Sequence, residues 1–359
     1  MIKYIGSKRR LVPVLGDLAS TVGARTALDL FTGTTRVAQE LKRRDMRVTA
    51  VDSARYAEVF AQCYVGTDAG AVDREELAAA LRDLAARPGV DGYVTETFCF
   101  SSRFFQPFNG RRIDAIRDAI ENDYRASALY PVLLTSLIEA ADRVDSTTGV
   151  QMAYVKQWAP RSFRPLELRP PELLIGSGRA VRGDACELAE SLGPFDFAYL
   201  DPPYNQHRYF TNYHIWETLV AWDAPVHYGV ACKRVDARHP ETRSVFNERS
   251  RMAEALAGVI RDVDARVVAV SYNDESWVSI DQLEGMVAAR GGQVCTLAFD
   301  SRRYVGAQIG IHNPRGQKVG KVSRLHNVEY VVVGGDADTI KAVSGRFGGN
   351  RAPVTFEPA

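Results

Sequence analysis

An apolar run, Phe195–Leu200, leads into Asp201, Pro202, Pro203 and Tyr204. Proline has no backbone N–H and restricts the residue before it, so two in succession make a stiff exit from a strand. The Pro202 carbonyl is left free to accept a hydrogen bond. Asp201 adds a second acceptor and Tyr204 an aromatic face. Such a set suits a planar amine, whose two N–H bonds meet two acceptors while its ring stacks. An amine on an aromatic ring is a poor nucleophile because its lone pair is delocalised. Holding both hydrogens pushes the nitrogen toward tetrahedral geometry and frees that pair. Catalysis then rests on orientation and electrostatics, with neither a metal nor a covalent intermediate implied. Cys63, Cys99, Cys186, Cys232 and Cys295 all lie away from this motif.

Three other acidic positions lie at or just beyond the ends of candidate strands. Asp29 opens Asp-Leu-Phe-Thr-Gly-Thr-Thr, a loop with Phe31, Gly33 and Thr35. Asp52 ends Arg47–Val51, and Asp184 follows Gly183. A carboxylate at the end of a second strand can accept two ribose hydroxyls at once. The first loop has neither G-x-G-x-x-G nor a Walker GK[ST], which disfavours dinucleotides and nucleoside triphosphates. A ligand with a ribose and no phosphate fits, and S-adenosylmethionine is such a ligand.

The elements that must position these residues are an open α/β sheet and a helical insertion. Ala27–Phe31, a helix over Val37–Arg44 and Arg47–Val51 set a beta-alpha-beta rhythm. Helical periodicity then takes over at Glu75–Ala86, Ile113–Tyr124 and Tyr130–Asp142, and Gln151–Pro171 is irregular. Strands resume at Ala180–Arg182, Phe195–Leu200, Val267–Ser271, Val294–Phe299 and Val328–Val333. The expected division is a Rossmann-like catalytic core over 1–72 and 180–359, with a mostly helical target-recognition insertion over 73–179. In such a sheet ligands bind beyond the carboxyl ends of the strands, where the four acids fall.

The 359 residues carry 45 Lys+Arg against 44 Asp+Glu, a net charge of +1, and 46% are hydrophobic. That composition is globular and excludes disorder as the main state and a uniformly basic nucleic-acid binder. The odd, widely spaced cysteines argue against a disulfide framework or a zinc knuckle. No apolar stretch is long enough to span a membrane, and MIKYIGSKRR lacks the apolar core of a signal peptide. The expected setting is the cytoplasm, with no membrane partner.

Lys3-Tyr4-Ile5-Gly6-Ser7-Lys8, Asp29–Thr35, Asp52, Asp184 and Asp201–Tyr204 together resemble the Dam-like N6-adenine DNA methyltransferases in the alpha arrangement. Asn109–Arg117, Ala140–Lys156, Leu166–Pro170 and Asn205–Glu217 further resemble the Fok-type modification methyltransferases. The resemblance covers nearly the whole chain, although the Fok-type enzyme joins two such units. It implies S-adenosylmethionine as cofactor and a flipped adenine in double-stranded DNA as target. It places Tyr4, Lys8, Asp29, Phe31, Gly33, Thr35, Asp52, Asp184 and Asp201 at the cofactor. Lys8 would reach the methionine carboxylate and Asp29 its amino group. Asp52 would take the ribose hydroxyls and Asp184 the adenine amine. Lys8 read with Arg9 and Arg10 could instead meet DNA. One departure concerns the first loop: the family more often has a second glycine near Thr34. A β-branched residue resists the left-handed conformation, so the loop is expected to sit differently.

A basic set for phosphate contact is expected from two stretches. Residues 299–327 hold six basic residues against one acidic, and 152–182 hold six against two. Residues expected at DNA are Arg9, Asn109, Arg111, Arg112, Lys156, Tyr209, Tyr213, Arg302, Arg303 and Lys318, with Gln151, Tyr154 and His214 as further candidates. Methylation of RNA adenine, of the cytosine amine, or a DNA-binding homologue without activity stay open. Asp at position 201 favours adenine over cytosine, since the resemblance gives serine in cytosine enzymes. The chain would act as a monomer or weak dimer, either beside a separate restriction endonuclease or alone.

Overall fold

The computed structural model describes residues 2–5, 8–204, 206, 208–274, 276–302 and 326–348. Five strands run parallel: β1 (Thr26–Leu30), β2 (Arg47–Asp52), β3 (Arg179–Arg182), β4 (Phe195–Leu200) and β5 (Ala265–Asn273). The last pair are β6 (Gln293–Arg302) and β7 (His326–Gly335). The order across the sheet is β3-β2-β1-β4-β5-β7-β6, and β7 runs antiparallel to both its neighbours. Strands covered on both faces read as unbroken apolar runs. That is the pattern of Val267–Val270 and Val331–Val333, all fully buried.

One face is closed by α1 (Val12–Thr21), α2 (Arg36–Arg43) and, at the far end of the chain, α12 (Ala337–Phe347). The other face is closed by α10 (Met252–Asp262) and α11 (Ile280–Ala288). Helix α11 starts with a capping box, Ser279 and Gln282 each bonding the other's backbone N–H. Strand order reverses between β1 and β4: the chain moves outward to β2 and β3 on one side and to β5 on the other. That reversal opens a crevice at the carboxyl edge.

The long intervening segment carries α4 (Arg74–Ala86), α5 (Pro107–Tyr124) and α6 (Tyr130–Val144). Their apolar sides share one continuous core with α3 (Arg55–Ala61) and with α9 (His214–Ala221), which lies beyond the motif strand. Arg117 joins the two parts. Fully buried, it donates to the Leu219 and Val220 carbonyls at the end of α9 and pairs with Glu121 at 2.8 Å. Capping the last carbonyls of a helix with a cation satisfies orphan acceptors and suits the helix dipole.

Element boundaries expected from the sequence fall within two residues of those observed for most strands and helices. α5 is the main exception among the helices: it begins six residues before the expected Ile113, at Pro107. Proline suits the first turn of a helix, where no N–H is needed. Residues 303–325, the greater part of the basic stretch at 299–327, lie outside the described residues.

Gly178 leads into β3 with its N–H on the Val65 carbonyl at 2.9 Å. A Cβ there would strike the Val48 carbonyl oxygen and stand 2.6 Å from Val65 Cγ1. Gly178→Ala is therefore expected to cost about 1–3 kcal/mol, the usual penalty of overpacking. The urea midpoint measures it.

Candidate active site

At the end of β1 the chain turns sharply. The Phe31 and Thr32 N–H groups both donate to the Val51 carbonyl, at 3.0 and 2.9 Å. Left-handed backbone occurs at Phe31 (φ 82°), Gly33 (φ 51°) and Thr35 (φ 62°). Thr34, the position of the missing glycine, is not among them. The strain falls one residue later. Thr35 bears it with its hydroxyl donating to the Thr34 carbonyl at 2.7 Å and accepting from Gln39 Nε2 at 2.9 Å. At Gly33 a Cβ would also meet the Tyr4 ring at 3.1 Å, so only glycine suits both the turn and its neighbour.

Two carboxylates grip this loop. Asp29 Oδ2 accepts from Thr32 Oγ1 at 2.7 Å and from the Ala38 N–H at 3.0 Å. Burial pushes its carboxyl up to about 7, against those two hydrogen bonds. Asp52 Oδ2 accepts from the Gly33 N–H at 2.9 Å and Oδ1 from the Ala54 N–H at 3.0 Å. Burial raises Asp52 as well. Each carboxylate oxygen has a second lone pair, so Asp52 keeps two acceptor sites after holding the loop.

Asp201 leaves β4 on the far side of the reversal. Its Oδ1 is buried with no hydrogen-bond partner among the described residues. The Lys8 ammonium stands 3.3 Å from it and donates to Glu329 Oε2 at 2.9 Å. Burial raises the Asp201 carboxyl to about 6, with Lys8 opposing and Glu329 reinforcing the shift. Burial disfavours the Lys8 charge too, yet Asp201 and Glu329 hold it well above the ordinary lysine range. The Tyr204 ring lies 5.2 Å from the same ammonium, with its edge on Tyr272 at 5.7 Å.

These groups surround a cavity of about 610 Å³ at the carboxyl edge. Tyr4, Lys8, Asp29, Phe31, Gly33, Asp52, Asp184, Asp201, Pro203 and Tyr209 line it. Asp184 also caps α7 (Ala185–Leu188), accepting from the Cys186 N–H at 2.7 Å. The residues fit a ribose-bearing cation: a ring of carboxylates and a glycine that lets the backbone come close.

Several expected contacts fall elsewhere. Thr35 is fully buried behind the loop and does not line the cavity. Pro202 and Tyr204 lie just outside the lining. Lys8 is engaged by two carboxylates, which speaks against a methionine carboxylate or a phosphate as its partner. Asn109 is buried. Its amide donates to the Ser162 and Arg164 carbonyls and its Oδ1 accepts from the Leu166 N–H, so it is a structural clasp rather than a DNA contact.

Arg111 pairs with Asp91 at 2.7 Å, and Arg112 donates to the Ala85 and Arg87 carbonyls at the end of α4. Tyr213 is fully buried, stacked on both Tyr4 (4.6 Å) and Trp216 (4.5 Å), with its hydroxyl accepting from the Ile5 N–H. His214 is buried too, its Nε2 2.9 Å from the Gln151 carbonyl, and burial lowers it to about 3. Neither Tyr213 nor His214 is placed to close over a base. Tyr209, by contrast, lines the cavity and stacks on Tyr4 at 5.4 Å. Arg9 is exposed next to buried Lys8, and Lys156 lies in an exposed stretch. Arg303 and Lys318 lie outside the described residues, and of Arg302 only its place at the end of β6 is described.

Sequence reasoning missed the segment from Asp236 to Asn247, which closes one side of the cavity with His239, Arg243 and Phe246. Phe246 meets Phe31 edge-on at 5.0 Å. The segment is built from short 3-10 turns with no sustained periodicity. It also missed Glu217, which reaches the cavity from α9, and Glu329.

An α/β sheet that reverses above an acid-lined cavity, with a stiff aspartate-proline exit beside it, defines a Rossmann-like methyltransferase acting on an exocyclic amine. Residues 4–286 match the D12 class N6 adenine-specific DNA methyltransferases, and the chain belongs to that family. It is similar to the Type II methyltransferase M.NlaIII of Neisseria lactamica, at 30% identity over 84% of this chain and 92% of that one. It is also similar to the modification methylase StsI of Streptococcus sanguinis (27% identity over 80% of this chain). The Type II methyltransferase M.FokI of Planomicrobium okeanokoites is 26% identical over 81% of it. The chain spans about half the length of those two, 46% and 47%. The protein is a DNA adenine methyltransferase. Among the described residues no helix is long and apolar enough to cross a membrane.

Proposed function

We propose that the chain methylates N6 of an adenine turned out of duplex DNA, at one recognised sequence, as the modification partner of a restriction endonuclease. The observation that carries the reading is the Asp201 carboxylate at the edge of the acid-lined cavity, directly before the two prolines and held beside the Lys8 ammonium. S-adenosylmethionine supplies the electrophilic methyl group. Asp201 and the Pro202 carbonyl accept the two N6–H bonds and turn the nitrogen lone pair toward the cavity. Asp201, raised to about 6, is mostly ionised at neutral pH and is poised to keep one proton as the new N–C bond forms. Tyr204 provides the stacking face for the base, and Tyr209 bounds the space beside it. Asp29, Phe31, Gly33, Asp52 and Asp184 hold the cofactor.

The amine lies inside the duplex until the base is extruded. Exposed Arg9 and Arg208 would meet phosphate, and the helices of residues 73–179 would supply target recognition. The role in a restriction-modification pair follows the names of the relatives. A duplex with 2-aminopurine at the target adenine tests the extrusion, once the methylated sequence has been read from treated DNA. Its fluorescence is expected to rise on binding; no change at saturating enzyme contradicts extrusion.

Asp52 gives a separate prediction. Losing two charge-assisted hydrogen bonds to ribose, each worth about 1.5–3 kcal/mol, weakens binding at least about tenfold in Asp52→Ala. Titration with S-adenosylmethionine measures it, and an unchanged Kd removes Asp52 from the cofactor site.

A further inference from the structure

Glu329 has no part in the mechanism above and lies beyond residues 4–286, the stretch matched to the family. Its place follows from topology. Because β7 runs antiparallel, its first residues lie at the carboxyl edge of the parallel strands. There Glu329 pairs in register with Asn273 at the end of β5 and Phe299 on β6. Along β7 side chains alternate, and Val331 and Val333 face the layer formed by α1, α2 and α12. Glu329 shares their parity, so it points toward the chain entering α1, where Lys8 sits. Lys8 and Glu329 are largely buried, with side chains 7% and 15% exposed. A buried ion pair of this kind is a costly arrangement unless its geometry serves a purpose.

The geometry is unequal. The ammonium donates a hydrogen bond to Glu329 Oε2 at 2.9 Å, whereas at 3.3 Å from Asp201 Oδ1 it makes only an ion contact. We propose that Glu329 is a positioning residue for methyl transfer: it anchors the Lys8 ammonium so that the Asp201 carboxylate, 19% exposed at the cavity, stays available to the target amine. The proposal rests on the reading of Asp201 as the amine acceptor. With Glu329 in place, the positive charge stays close enough to favour the ionised carboxylate without taking its acceptor site. Without it, Lys8 swings fully onto Asp201 and competes with the N6–H bond.

Other charged or titratable groups face Asp201: Asp29 from β1, Tyr199 from β4, Tyr204 from the motif and Tyr209 from α8 (Tyr209–Asn212). The three tyrosines are raised above their ordinary range and stay neutral at working pH. Asp29 rises to about 7 but is tied to Thr32 and Ala38. Its titration is common to wild type and variant, so the difference between the two isolates Asp201. Removing the Glu329 charge and giving Asp201 the whole ammonium both favour the ionised carboxyl. The acid limb of the rate profile then moves to lower pH, while the plateau falls because the acceptor is occupied.

The test is Glu329→Gln in full-length enzyme, assayed by single-turnover methylation of duplex DNA across pH, with S-adenosylmethionine Kd measured alongside. The expected result is a plateau lower by about 10–100-fold, the scale of a misplaced reacting group. The acid limb shifts down in pH and the Kd stays within about twofold. Glu329→Asp keeps the charge and is expected to retain the wild-type acid limb with part of the rate. In a Lys8→Met background Glu329→Gln is expected to add little. Wild-type rate and acid limb in Glu329→Gln overturn the proposal, as does a full additive loss in the Lys8→Met background. If Lys8→Met does not fold, the Gln and Asp variants decide by their acid limbs: identical limbs overturn the proposal. Asp201→Ala, run in parallel, separates the two readings. Retained activity there removes the reading of Asp201 itself, whereas lost activity with an unaffected Glu329→Gln removes only the role of Glu329.

Discussion

Asp201→Ala is expected to lose methyl transfer by about 10²–10³-fold while still binding S-adenosylmethionine. The scale is that of deleting a preorganised electrostatic partner from a reacting centre. The variant should fold, because the Lys8 ammonium keeps its hydrogen bond to Glu329 when the Asp201 carboxylate is gone. Removing Asp201 also removes one of two acidic neighbours of a buried cation, and the remaining pair is balanced. Single-turnover methylation measures the rate and a cofactor titration measures binding. A rate within about tenfold of wild type contradicts the mechanism. Lost cofactor binding would move Asp201 from the target amine to the cofactor.

The second large effect is on stability. Trp216 is 1% exposed and is the largest fully buried side chain. Its ring stacks on Tyr213 at 4.5 Å and on Tyr4 at 6.4 Å, and meets Tyr56 and Phe60 edge-on at 5.5 and 6.1 Å. Trp216→Ala is expected to cost about 3–5 kcal/mol, through lost burial and the cavity left behind. That is a large share of the about 5–15 kcal/mol that holds a typical domain together. In urea the midpoint should fall with little change in slope. Because Tyr4 packs over Gly33 and lines the cavity, cofactor binding should weaken as well. A loss below about 1 kcal/mol would show that the aromatic stack is not the link between the helices and the sheet.

The strands that carry the site were legible because an acid stands at or just past the carboxyl end of each: Asp29 next to last in β1, Asp52 last in β2, Asp184 two residues beyond β3 and Asp201 directly after β4. Asp29, Asp52, Asp184 and Asp201 accordingly meet at one edge. Residue type alone misled at Asn109, Arg111, Arg112, Tyr213 and His214. An amide, a guanidinium or a ring near a motif serves a base, a phosphate or the interior equally well. What decides is a partner far along the chain, such as the Ser162 carbonyl for Asn109 or Trp216 for Tyr213. Glu329 was hidden for a related reason. Its strand reads as an apolar run, and only the antiparallel direction of β7 brings its first residues to the catalytic edge. The Asp236–Asn247 wall lacked any periodic signal to read.

The charge balance also gains a meaning. A sum of +1 hides an acidic cavity and buried ion pairs such as Lys8 with Asp201 and Glu329. In the 152–182 stretch three of the six basic residues pair with carboxylates of the same chain: Arg161 with Asp145, Arg169 with Glu167 and Arg182 with Glu58.

The central claim is transfer of a methyl group to N6 of adenine in duplex DNA. It is tested most directly by incubating the enzyme with labelled S-adenosylmethionine and duplex DNA, RNA or protein in parallel, then digesting the nucleic acids to nucleosides. The account predicts label in N6-methyldeoxyadenosine from the duplex. Label in N4-methyldeoxycytidine, in RNA or in protein, or no label in any of them, would contradict it.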